Sequence, residues 1–213
     1  MGVEIRWFFE RLLPGEVSTW FERDLLGESP PLREERTDIY LAAREDLGIK
    51  LREGKLEIKW RPNPGLVFSA SGRPRGQGEY WDKWSWNDPE SKADVQITKL
   101  LKERSDHPWI PVEKERHQHK YELAAGALRN VGPGQKVDQG VIIELTTLKV
   151  YGRSWWTLGL DLLGKAQDPD ESLKEAKEVF EKSLGRLFEK YPGPALKLDN
   201  SYGYPKFVLA IKE

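Results

Sequence analysis

Apolar and polar residues alternate through the segment GIKLREGKLEIKWR (48–61). Ile49, Leu51, Leu56, Ile58 and Trp60 hold one parity; Lys50, Arg52, Glu57, Lys59 and Arg61 hold the other. A period of two is that of a half-buried strand, and Glu53-Gly54 between the runs predicts the turn of a hairpin. The same period recurs along the chain. Val3, Ile5 and Trp7 alternate with Glu4, Arg6 and Phe8, and TDIYLA (37–42) reads as a short second strand. In GEYWDKWSW, Glu79, Trp81, Lys83 and Ser85 oppose Tyr80, Asp82, Trp84 and Trp86; in 111–123, Lys114, Arg116, Gln118 and Lys120 share a face. Segments 140–150 and 154–162 form a further hairpin around Tyr151-Gly152-Arg153. The pattern predicts about eight strands.

Three stretches change to a helical period. Val17, Trp20, Phe21 and Leu25 fall on one face; Asp88-Pro89 opens a helix carrying Val95, Ile97, Leu100 and Leu101 to about Arg104; and Pro169 to Tyr191 carries Leu173, Ala176, Phe180, Leu184, Leu187 and Tyr191. For the last, Asp168 is the N-cap and Glu171 its capping-box partner. Asn63-Pro64-Gly65 breaks the chain, and Gly72 to Gly76 reads as a flexible basic loop around Arg73 and Arg75, solvated or lying over an entrance. The C-terminal tail reads as a short edge strand. The expected fold class is α+β: an eight-stranded antiparallel β-barrel or tunnel with helices packed on its outside, formed by residues 1–213 as one domain.

Composition narrows the function classes. Among 213 residues, 34 Lys and Arg nearly balance 35 Asp and Glu, so a net charge of −1 gives no bulk attraction to nucleic acid or membrane. The absence of Cys removes disulfides and thiolate metal sites. The sequence shows neither a signal-peptide pattern nor a span of about 20 apolar residues, so a cytoplasmic location is expected. Any special field must be local.

Such a field is encoded by strand parity. Opposite the apolar positions lie Arg6, Lys50, Arg52, Lys59, Arg61, Lys83, Lys114 and Arg116, together with Glu4, Glu57, Glu144 and Asp161. An eight-stranded barrel has room inside for side chains or one small ligand. Inward-facing like charges require a multiply anionic ligand and compensating acids, because an unpaired buried charge costs several kcal/mol. A basic lumen of this kind suits polyphosphate, and paired carboxylates can hold Mg²⁺ or Mn²⁺. Glu4 has two roles open to it, metal ligand or ion-pair partner of Arg6 or another cation of the tunnel. His117 and His119 read as exposed histidines rather than a metal pair, and Trp81, Trp84, Trp86, Trp155 and Trp156 as core residues.

The order of these segments resembles the CYTH superfamily of triphosphate tunnel metalloenzymes. An acidic first strand is followed by the aspartate-tyrosine strand TDIYL, the basic hairpin GIKLREGKLEIKWR, Lys114-Glu115-Arg116, the late acidic strands IIELTTL and WWTLGLD, and Ser201-Tyr202. The resemblance spans most of the chain and implies a triphosphate-bearing small molecule or polyphosphate as ligand; nucleic acid is expected only as a 5′-triphosphate end. It further implies Glu4, Glu144 and Asp161 as metal ligands and catalytic carboxylates, with Glu57 in reserve, and Arg6, Lys50, Arg52, Lys59, Arg61, Lys83, Lys114 and Arg116 as phosphate contacts. Two departures stand out. The family's first strand reads Glu-x-Glu-x-Lys, whereas here it is Glu4-Ile5-Arg6-Trp7-Phe8; its late Glu-x-Glu spacing falls here on Gly159 and Asp161. The expectation is therefore either a metal-dependent phosphohydrolase or a phosphate-ligand binder without turnover. A lipocalin-like barrel for an apolar ligand conflicts with the charged parity.

Overall fold

A computed structural model describes residues 2–25, 27, 29–63, 65–70, 73–87, 96, 97, 99, 103, 108–164 and 168–212. The elements in order are β1 (Gly2–Phe9), α1 (Gly15–Thr19) running into a π-helical turn (Trp20–Asp24), β2 (Leu32–Arg44), β3 (Leu47–Arg52), β4 (Lys55–Trp60), β5 (Leu66–Ala70) and β6 (Arg73–Asn87). They continue with β7 (Trp109–Ala124), β8 (Ala127–Val131), β9 (Gly140–Val150), β10 (Arg153–Leu163), α2 (Pro169–Leu187), a 3-10 turn (Leu198–Asn200) and α3 (Tyr204–Lys212). All strand pairings are antiparallel. The ladder runs β1-β10-β9-β7-β2-β3-β4-β6, and β6 pairs back onto β1, closing eight strands into a barrel. Strands β5 and β8 extend β6 and β7 outside the ring.

The 48–61 segment is β3 and β4, joined through Glu53 and Gly54 at φ 48° and 77°. Both central residues at positive φ match the tight turn that follows the right-handed twist of the strands. The strand β2 is longer than TDIYLA predicts, because Leu32 to Arg36 pair with Gln118 to Lys114 of β7. The predicted loop at Gly72–Gly76 is overturned for its described part: Arg73 to Gly76 begin β6 and pair with β5, which the alternation did not reveal. Glycine here serves close approach rather than a turn. A Cβ at Gly76 would stand 2.5 Å from Ile5, and one at Gly78 would stand 1.9 Å from the Phe68 ring. The helix expected at 88–104 lies mostly outside the described residues.

Two apolar clusters sit on opposite sides of the barrel wall. Outside, Val3, Ile5, Trp7, Ile143 and Trp156 meet Val17, Trp20 and Phe21 of the first helix and its π turn, and Phe180, Leu184 and Leu187 of α2. The Asp168 side chain accepts from the amides of Asp170 and Glu171, so α2 starts where the sequence places it. The second cluster lies on the inner parity: Phe8 follows Glu4 and Arg6, Ala42 follows Asp38 and Tyr40, and Leu148 follows Glu144 and Thr146. Against it pack Phe207, Val208 and Ile211 of α3. The tail is thus a helix, not an edge strand, and it seals one mouth of the barrel. The inner wall changes from apolar at that mouth to charged in the middle.

Candidate functional site in the barrel lumen

The charged belt has two halves. One centres on Asp38, which is fully buried on β2 between β3 and β7. Four cations converge on its carboxylate: Arg52 Nε at 2.9 Å, Lys114 Nζ at 3.0 Å, Lys50 Nζ at 3.2 Å and Arg36 Nε at 3.2 Å. Burial alone would raise the Asp38 pKa, but Lys114, Lys50, Arg52 and Arg36 outweigh it and hold the group far below the carboxylate range. Burial also pulls Lys50 down to about 8 and Lys114 well below lysine's usual value, against the attraction of Asp38. Lys114 donates to Tyr40 Oη at 2.6 Å and lies 3.6 Å from the centroid of the Tyr204 ring, so aromatic faces share the charge. Glu57 bridges Lys50 and Arg52 at 3.1 Å each.

The other half holds the predicted carboxylates. Arg6 Nη1 donates to Glu144 Oε1 at 2.8 Å and to Thr157 Oγ1 at 3.0 Å, and Nη2 stands 3.9 Å from Asp161. Glu144 also accepts from Thr146, Gln118 and Arg116, the last of which reaches Glu34 as well. Glu4 pairs with Lys59 at 3.3 Å; burial opposes its charge, yet Lys59, Lys83 and Arg6 hold it at about 2. For Asp161 burial prevails, aided by repulsion from Glu4 and Glu144, and its pKa rises to about 6. Lys83 lies directly across the ladder from Lys59, and that neighbour together with burial lowers its pKa. Like charges directly opposite on a sheet destabilise it.

These residues line a cavity of about 510 Å³. Eight cations face it, Arg6, Arg36, Lys50, Arg52, Lys59, Lys83, Lys114 and Arg116, against four carboxylates, Glu4, Glu57, Glu144 and Asp161. Seven of the eight cations predicted for the lumen therefore meet there. Arg61 does not line the cavity; it pairs with Glu79 at 2.7 Å beside the Trp81 ring. The sequence reading missed Arg36, Asp38, Tyr40 and Tyr204 as site residues. For Asp38 and Tyr40 the signal was present, since they share a parity opposite Ile39 and Leu41; Arg36 was lost by starting β2 at Thr37.

Glu4, Glu144 and Asp161 approach one another as expected, but they do not fit a divalent metal. No group of three or more potential ligands stands free to hold one among the described residues. Both oxygens of Glu144 already accept several donors, and a guanidinium lies between Glu144 and Asp161. Of the other sequence expectations, His119 is buried rather than exposed and bonds through Nε2 to the Phe21 carbonyl oxygen, while His117 is half-buried between Glu22 and Glu115. Trp81 and Trp156 are core residues as expected; Trp84 and Trp86 are exposed, Trp84 at the cavity's edge. Ser201 bridges to Trp7 and its hydroxyl accepts from the Gln77 amide, and the Tyr202 ring stacks on Phe8.

No family model and no curated protein matches the sequence. Among solved structures, one similar chain is a Hippeastrum protein assigned as an adenylyl cyclase and described as having a dominant triphosphatase activity. It has 14% identity and a TM-score of 0.33, over 87% of this chain and 89% of that one. Another is a Bacillus halodurans protein assigned as an adenylate cyclase, with 11% identity and a TM-score of 0.35, over 91% of this chain and 95% of that one. The barrel assignment rests on this chain's own strand pairings.

Proposed function

We propose that the lumen is a receptor for a polyphosphate chain, a triphosphate either free or carried by a small molecule. The observation that supports this reading is the cationic lining of the cavity: eight positive side chains face it against four carboxylates, with Asp38 and Glu34 as further partners of the same cations. Four of the cations share the single buried carboxylate of Asp38, and Lys59 and Lys83 face each other across a ladder. Each like-charge contact among them costs stability, which a bound polyanion would offset. A chain of linked phosphates, with charge distributed along its length, complements cations distributed around the wall. Arg36, Arg52 and Arg116, now paired with Glu34, Asp38, Glu57 and Glu144, would turn forked donors toward phosphoryl oxygens, and Lys50, Lys59, Lys83 and Lys114 would supply point charges.

Calorimetric titration with tripolyphosphate, ATP and thiamine triphosphate tests the reading, with phosphate release followed in parallel. Tripolyphosphate is expected to bind one to one. Lys83 makes no ion pair among the described residues, so Lys83→Gln breaks no direct pair with a protein carboxylate, while it removes one of the charges that hold Glu4 ionised. It should weaken binding about tenfold or more, the scale of a hydrogen bond to a charged group. No binding, or binding indifferent to Lys83→Gln and Arg52→Gln, would refute the receptor; metal-dependent phosphate release abolished by Glu144→Gln would make it a hydrolase.

A further inference from the structure

We propose that Arg6 is a resident cation, standing where a divalent metal would have to bind among Glu4, Glu144 and Asp161, so that the lumen takes its phosphate anion without a metal. This rests in part on the receptor reading above. The Arg6 side chain is 4% exposed, and its guanidinium spans Glu144 at 2.8 Å and Asp161 at 3.9 Å. Glu4 is two residues away on the same inner face of β1, and its charge favours the guanidinium further. The cross-strand partner of Arg6 is Gly159. A Cβ built there would come within 2.9 Å of the guanidinium carbon and about 3 Å of both terminal nitrogens, so any larger residue would displace the arginine.

The two departures from the family pattern, arginine at position 6 and glycine at 159, are therefore neighbours in space and account for each other. One brings a positive charge; the other clears the floor on which it lies. An arginine stays protonated at any accessible pH and cannot be removed by a chelator. A divalent ion entering the same place would meet that charge at contact distance and find Glu144 already accepting from Arg6, Arg116, Gln118 and Thr146. Guanidinium also lacks the Lewis acidity that lowers the pKa of a bound water, so the same substitution separates anion capture from hydrolysis.

Titration with Mn²⁺, with the free ion read by electron paramagnetic resonance, decides the point without any anion present. The wild-type protein should take up no Mn²⁺ that Glu144→Gln abolishes, whereas Arg6→Gln should take up one equivalent. A one-to-one Mn²⁺ site in the wild type, lost in Glu144→Gln, overturns the proposal even if Arg6→Gln fails to fold. Calorimetry gives an independent arm: tripolyphosphate should bind as tightly in EDTA as with Mg²⁺ present. Binding that appears only with Mg²⁺ overturns the role given to Arg6 and leaves the receptor standing. Failure to bind in both conditions instead removes the receptor, while the Mn²⁺ titration still decides whether Arg6 excludes a metal.

Discussion

Lys50 is a lumen residue whose titration falls within easy experimental reach. Burial lowers its pKa from 10.5 to about 8, despite Asp38 and Glu57 nearby. The folded pKa lies below the unfolded one, so between about pH 8 and pH 10.5 the unfolded chain binds more protons at this group and its contribution to stability rises with pH. Ligand binding runs the opposite way, because a phosphate anion favours the charged lysine. The Lys50 contribution to tripolyphosphate affinity should be lost above about pH 8, by up to about tenfold per pH unit. Calorimetry in the wild type and in Lys50→Gln checks this; affinity unchanged from about pH 7 to about pH 10 contradicts it.

At the scale of elements, α3 is the piece that turns an open ring into a closed-ended cup. Phe207 is fully buried, stacked on Phe8 at 4.6 Å and edge-on to Trp155 at 5.1 Å. Phe207→Ala should cost about 3–5 kcal/mol in urea denaturation, the usual range for a large buried aromatic. A loss under about 1 kcal/mol would mean that α3 does not seal the mouth. The helical spacing of Tyr204, Phe207, Val208 and Ile211 was visible in the sequence, but a nine-residue helix is marginal by itself. Its stability comes from Phe8, Ala42, Val112 and Leu148, contributed by four strands far from it in the chain. The start of β6 was hidden for a related reason. Gly76 looks like a loop residue until Ile5 and Trp7 are placed against it.

For the whole molecule, ring closure and ligand binding are coupled. Cations from β2, β3, β4, β6 and β7 face one volume only because β1 pairs with both β10 and β6. An anion that binds the closed barrel and not the unfolded chain should stabilise it by about 2.7 kcal/mol at a hundred times its Kd. For a domain of this size that raises Tm by about 5–10 °C, readable by calorimetry or fluorescence. The shift should shrink as salt increases, because the accessible part of the attraction is screened. An equal shift from tripolyphosphate and from orthophosphate at the same concentration would argue against recognition of a chain.

Alternation along each strand is a local property, so the sequence by itself determined which residues share a face. That was enough to place seven cations and Glu4, Glu57, Glu144 and Asp161 on the inner wall of an eight-stranded barrel. Which charge meets which is set by register between strands distant in the chain, and only the tertiary structure decided it. The β1–β10 register puts Arg6 over Gly159, and the β9–β10 register puts Gly159 opposite Glu144. Those two pairings set Arg6 against Glu144 and Asp161, two of the three carboxylates that read as metal ligands, while Glu4 turns to Lys59. Flanking strands likewise gather four cations around Asp38 from sequence positions 36 to 114. Electrostatic energy falls with distance rather than with sequence separation, so the chemistry of the lumen emerges only once the ring is closed.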